Sequence, residues 1–166
     1  MNAAEAKAIA EFLLTEMAGE TSTTTRLFGA VPAARLDYKP DASSKTALGL
    51  LRHITLEDAW FLTSIADGKF VPPPDDSDAC GIMTAQDAIA RYNETIPPAM
   101  ERVRALSGED LVRHIDLMGV MQMRALNFLS LAVKHSVHHR GQLSSYLRPM
   151  GGKVPGIYGP SADTPM

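Results

Sequence analysis

Four stretches of this chain repeat apolar residues at helical spacing, and the breaks between them fall at prolines and glycines. The first begins at Asn2, with Glu5 three residues on as a capping-box pair, and continues through Ile9, Phe12, Leu13 and Met17 to about Ala30. Gly19 and the run Thr21–Thr25 predict a bend within it, and Pro32 ends it. After a loop over Leu36–Lys45, a second helix is expected from Ser44 to about Ala66, carrying Leu50, Leu51, Ile54, Trp60, Phe61 and Ile65, with Gly68 to close it. Val71-Pro72-Pro73-Pro74-Asp75-Asp76-Ser77-Asp78 reads as a solvated loop. Thr84 and Asp87 cap a third helix that reaches about Leu106, and Pro97 and Pro98 should kink or split it. Residues 110–123 are ambiguous, with Ile115–Met121 resembling a short hairpin. A last long helix is expected over Arg124–Arg148, ended by Pro149 and Gly151-Gly152, and an irregular tail follows to the C-terminus, at about residues 150–166. Four helices joined by modest loops predict an all-α chain, an antiparallel four-helix bundle forming one domain over residues 1–166.

Composition narrows the function. A 45% hydrophobic and 21% charged chain can bury a core. The net charge of −3 and the lack of any Lys/Arg cluster argue against nucleic acid as a partner. No stretch approaches the ~20 apolar residues of a membrane span. The N-terminal segment carries Glu5, Lys7 and Glu11 within its apolar pattern and does not read as a signal peptide. A single cysteine, Cys80, makes no internal disulfide. These features together predict a cytoplasmic protein.

The chemistry lies in Lys134–Gln142. On a helix, His135 and His139 fall about 40° apart, one turn above the other. Phe128, Leu131, Ala132, Gln142 and Tyr146 share that side, so it should face inward. On the second helix His53 shares an apolar side with Leu50, Glu57, Trp60 and Phe61. Packed helices can bring three imidazoles together, which suits a divalent metal with open positions, whereas structural zinc is normally closed by four ligands. The competing reading is three hydrogen-bonded core histidines. Glu57, one turn from His53, is a candidate ligand, base or partner of the site, with an ordinary salt bridge as the alternative. His138 sits at the edge of the inward face as a neighbour of the site or a surface residue, and His114 should be exposed. Ser136 stands where an H-E-x-x-H protease has its glutamate. Nothing in the sequence pairs a base with Cys80, and Gly151-Gly152 form no phosphate loop.

His135-Ser136-Val137-His138-His139-Arg140-Gly141-Gln142-Leu143, followed by Tyr146-Leu147-Arg148, resembles the last-helix signature of the DinB (damage-inducible, DinB/YfiT-like) superfamily. Leu51-Arg52-His53-Ile54 resembles its second-helix motif, and Val154–Ser161 is similar to the tail of one subset. The resemblance implies a four-helix bundle, often a homodimer, with His53, His135 and His139 as ligands to one divalent metal: nickel, zinc, iron or manganese. Some members of the family are transferases or isomerases that use a low-molecular-weight thiol such as bacillithiol or mycothiol. The expected function is therefore a metal-dependent enzyme on a small-molecule substrate, of thiol S-transferase or hydrolase type. The alternative is a non-catalytic metal-binding module in stress response or protein interaction.

Overall fold

In the computed structural model, which describes residues 1–165, the chain is mostly helical. Five helices appear in the order α1 (Ala3–Gly29), α2 (Ala47–Asp67), α3 (Ala85–Arg104), α4 (Gly108–Val112) and α5 (Ala125–Leu147). An antiparallel hairpin of β1 (His114–Leu117) and β2 (Met121–Arg124) stands between α4 and α5. The all-α expectation is thus corrected at this hairpin, which pairs His114 with Arg124 and Leu117 with Met121. Its turn is tight: Met118 and Gly119 both take positive φ, 49° and 78°, and the Asp116 carboxylate accepts from the Gly119 N–H at 2.9 Å.

The helix boundaries follow local chemistry. Asn2 and Glu5 form the expected capping box. α1 runs unbroken past Gly19, and its threonines satisfy their hydroxyls on the helix itself: Thr24 Oγ1 donates to the Glu20 carbonyl at 3.0 Å and Thr25 Oγ1 to that of Thr21 at 3.1 Å. α2 starts two residues later than expected, at the Thr46 cap, since Asp41 draws the N–H groups of Ser43 and Ser44 into a turn of its own. Gly68, at φ 69°, closes α2 in the left-handed region. Pro97 and Pro98 do not split α3. Both are exposed, as are Asn93 and Glu94, whose carbonyls a proline four residues on leaves without their helical N–H partners, so solvent can satisfy them.

α2 packs against α3 and α5, and α1 packs against the same two helices. Ala6, Ala10, Leu14 and Met17 of α1, at helical spacing, are buried with Leu50, Leu51, Ile54, Leu62, Ile96, Val103, Phe128, Leu129 and Leu143 in one core. α4 docks on the start of α1 so closely that a Cβ at Gly108 would lie 2.2 Å from the Ala3 carbonyl oxygen. The tail is irregular as expected, yet tied down: Arg26 donates to the Gly156 carbonyl at 2.9 Å, Arg148 pairs with Asp163 at 2.9 Å, and Pro155 is buried. Among the described residues no helix is long and apolar enough to cross a membrane.

Candidate metal centre

α2 and α5 lie side by side, and each presents histidine where it faces the other. His53 comes from the first half of α2, and His135 and His139 from consecutive turns of α5. One ring nitrogen from each converges, all within 4.8 Å of one another. The rings are tightly grouped, with centroids 5.1 Å (His53–His135), 4.3 Å (His53–His139) and 4.4 Å (His135–His139) apart. Phe61, almost fully buried, closes one side of His135 at 5.3 Å between centroids.

The nearest approach is His53 Nε2 to His139 Nε2, 3.1 Å. His139 Nδ1 lies 2.9 Å from the amide oxygen of Gln142. That oxygen can only accept, so the His139 proton belongs on Nδ1 and its Nε2 carries a bare lone pair. Two bare lone pairs at this separation repel. The pair therefore needs an electrophile between them, either a proton on His53 Nε2 or a metal ion. Nitrogen ligands about 2.0–2.1 Å from one metal stand roughly 3 Å apart, which the observed separation satisfies. Burial, reinforced by His139 and His135, pushes His53 down to about 4. His139 is also lowered, again chiefly by burial, against the opposing hydrogen bond to Gln142. Both imidazoles are thus neutral at ordinary pH, the form that binds metal.

Behind His135 stands Asp58 of α2, wholly buried. Its Oδ2 accepts from Tyr92 Oη at 3.0 Å and from Ser136 Oγ at 2.8 Å. Among the described residues its Oδ1 has no hydrogen-bond partner, nor does His135 Nδ1, and the two lie 4.0 Å apart. Asp58 is the site residue that the sequence reading missed. Its signal was present: it shares a helical face with Leu51, Ile54, Thr55, Leu62 and Ile65, where a carboxylate has no business without partners.

The remaining candidates separate cleanly. Glu57 is half-buried and does not join the histidine cluster; burial raises its pKa above the usual glutamate value. His138 is exposed, its ring 4.8 Å from that of His139, and His114 is exposed on the hairpin. Cys80 is half-buried in a short turn. The proline-rich loop is solvated for most of its length, but it is fastened beside His53. Arg52 donates to the Ile82 carbonyl and to Asp78, both at 2.7 Å, and Lys45 pairs with Asp76 at 2.7 Å.

The family model of the DinB family matches residues 4–165. The chain belongs to the DinB family. Among its relatives are two uncharacterized proteins of Bacillus subtilis (strain 168). YjoA is 29% identical over 133 residues, 78% of this chain and 83% of YjoA. YrdA is 27% identical over 146 residues, 87% of this chain and 84% of YrdA. The crystal structure of a DinB-like protein from Bacillus cereus ATCC 10987 superposes with a TM-score of 0.74 at 23% identity, covering 89% of this chain and 97% of that one. The crystal structure of YjoA gives 0.67 at 24% identity, covering 93% and 99%. At these identities the structural matches speak for the DinB fold alone.

Proposed function

We propose that this DinB-family protein binds one divalent first-row metal ion through His53, His135 and His139, on a scaffold that reduces to a four-helix bundle of α1, α2, α3 and α5. The observation that carries the proposal is the 3.1 Å approach of two imidazole nitrogens, one of which has its proton held elsewhere by Gln142. Three neutral nitrogen donors suit nickel, zinc, iron and manganese and leave coordination positions for water or substrate. The test is the metal content of untagged protein before and after loading. About one ion per chain is expected, and less than about one-tenth, even after loading, defeats the proposal.

The activity we propose is that of a metal-dependent enzyme acting on a small molecule, of thiol S-transferase or hydrolase type. A bound divalent ion lowers the pKa of water or a thiol enough to make a nucleophile near neutral pH. The chain's own contributions are two. Gln142 fixes the His139 lone pair, and Glu57, its pKa raised by burial, holds a proton more readily than a surface glutamate. Metal-loaded protein incubated with several thiols and model electrophiles should turn over faster than its His135→Ala variant. No difference across the set removes the transferase reading.

A homodimer is part of the proposal. Ile9 and Phe12 on α1 are 41% and 62% exposed, and Met1 is exposed near them, an apolar surface that a second copy would cover. Sedimentation of wild type against Phe12→Glu tests this: a monomer for wild type would refute it.

A further inference from the structure

Asp58 poses a physical problem that the histidine cluster alone does not answer. A carboxylate removed from water needs either a cation or a full set of donors. Asp58 has two hydroxyl donors, both on Oδ2, and among the described residues no Lys or Arg pairs with it. Oδ1 is bare, and so is the buried His135 Nδ1 that it faces. Two orphaned polar atoms 4.0 Å apart, just beyond hydrogen-bond range, are complementary: one is an acceptor, the other a ring nitrogen able to carry a proton.

We infer that Asp58 is the positioning residue of the site, its Oδ1 accepting a hydrogen bond from the Nδ1–H of His135 so that the proton stays on Nδ1 and the Nε2 lone pair of that ring is given to the metal. This rests on the three-histidine reading above. The hydroxyls of Tyr92 and Ser136 hold Oδ2 from one side and thereby point Oδ1 at the imidazole. Tyr92 is itself held edge-on against Phe28, 5.8 Å between centroids, and Ser136 adjoins His135 in the chain. The carboxylate makes the ring a stronger donor, and the metal's charge balances a buried anion that the protein leaves without a cation. Asp58 belongs to α2, Tyr92 to α3, Ser136 and His135 to α5, and Phe28 to α1, so the support reaches all four long helices.

The test loads cobalt(II) into full-length wild type, Asp58→Asn and Ser136→Ala, reading affinity by chelator competition and the exchangeable, paramagnetically shifted ring N–H signals by proton NMR. Asp58→Asn should weaken cobalt about 10–100-fold. It should also move or abolish the His135 N–H signal while leaving that of His139, which is bonded to Gln142, in place. A residue that merely supports packing would disturb both signals alike or neither. Ser136→Ala, which keeps the carboxylate and removes one hydroxyl, should shift the same signal with a smaller loss of affinity, and it decides the matter if Asp58→Asn does not fold. Unchanged affinity and unchanged signals in the folded variants overturn the role of Asp58 while leaving the histidine site standing. Failure of wild type to bind cobalt at all overturns both.

Discussion

Two buried charged side chains, Arg140 of α5 and Asp58 of α2, meet α5 one turn apart and are handled in opposite ways. Arg140, 2% exposed, follows His139 directly, and its guanidinium is paired with Glu20 of α1 and donates to Tyr158 Oη of the tail at 3.1 Å. Only its Nε lacks a partner. Asp58, 0% exposed, reaches α5 one residue beyond His135, through Ser136, and among the described residues meets hydroxyls but no Lys or Arg. The chain neutralises its buried arginine with its own glutamate. Among the described residues it gives its buried aspartate only two hydroxyl donors. One turn of α5 thus meets a buried arginine paired within the polypeptide and a buried aspartate that, on the proposed function, a metal ion would balance.

The largest effect expected from this difference is metal-linked stability. At a thousandfold excess over its dissociation constant, a ligand bound only by the folded state adds about 4 kcal/mol. At roughly 2–4 °C per kcal/mol for a chain of this size, loading should raise the melting temperature by about 8–16 °C. The rise should vanish in His135→Ala, as followed by calorimetry with and without chelator. Next in size is the Arg140–Glu20 clamp. Removing one partner of a buried ion pair costs about 3–5 kcal/mol. Glu20 keeps access to water at 26% exposure, so Arg140→Ala should sit at the lower end, near 3 kcal/mol in denaturant titration. It should leave metal stoichiometry intact. If Arg140→Ala also abolishes metal binding, the two regions are one unit and the contrast fails.

The sequence carried the histidine half of this contrast more plainly than the carboxylate half. Helical spacing put His135 and His139 on one inward face, and the fold brings them together with His53. The DinB signature pointed to these three over His138, which lies exposed. Capping signals at Asn2, Gly68 and Thr84 likewise located helix ends, because capping is settled within a few residues of chain. What could not be read depends on contacts distant in sequence. Asp58 meets Tyr92 and Ser136 across 34 and 78 residues, and Arg140 meets Glu20 across 120. α4 and the hairpin were blurred for another reason: a five-residue helix and two four-residue strands are too short to display a period.

Smaller tests sharpen the comparison from each side. Tyr158→Phe removes the hydroxyl that accepts from Arg140 and leaves the ring. A hydrogen bond to a charged group is worth about 1.5–3 kcal/mol when both partners are buried. Tyr158 is 69% exposed, so water substitutes readily, and a loss of under about 1 kcal/mol is expected in denaturant titration. The Tyr158 variant should make the tail more sensitive to limited proteolysis near Gly156, whereas metal affinity should be unmoved. A larger change in metal affinity than in tail cleavage would tie the tail to the site and contradict the division.

The smallest expected effect bears most directly on the proposed cation. Burial raises the Glu57 pKa above the ordinary value of 4.5 in the folded chain, so the folded state holds that proton more tightly than the unfolded one. The sign follows. Near pH 4 the group is mostly protonated in both states and carries little penalty; as pH climbs from about 4.5 through the raised value, the penalty for ionising a half-buried carboxyl develops, and above that it is constant. Glu57→Gln never ionises. In metal-free protein it should melt slightly above wild type at pH 7, and the gap should close as pH falls to 4. A gap that persists at pH 4 would assign the effect to packing rather than charge. Loading metal should reverse the balance, because a divalent ion beside Glu57 favours its ionised form. The advantage of glutamine at pH 7 should then shrink or invert in the loaded protein. If loading leaves it untouched, the cation does not sit among His53, His135 and His139, and the aspartate behind them is balanced in some other way.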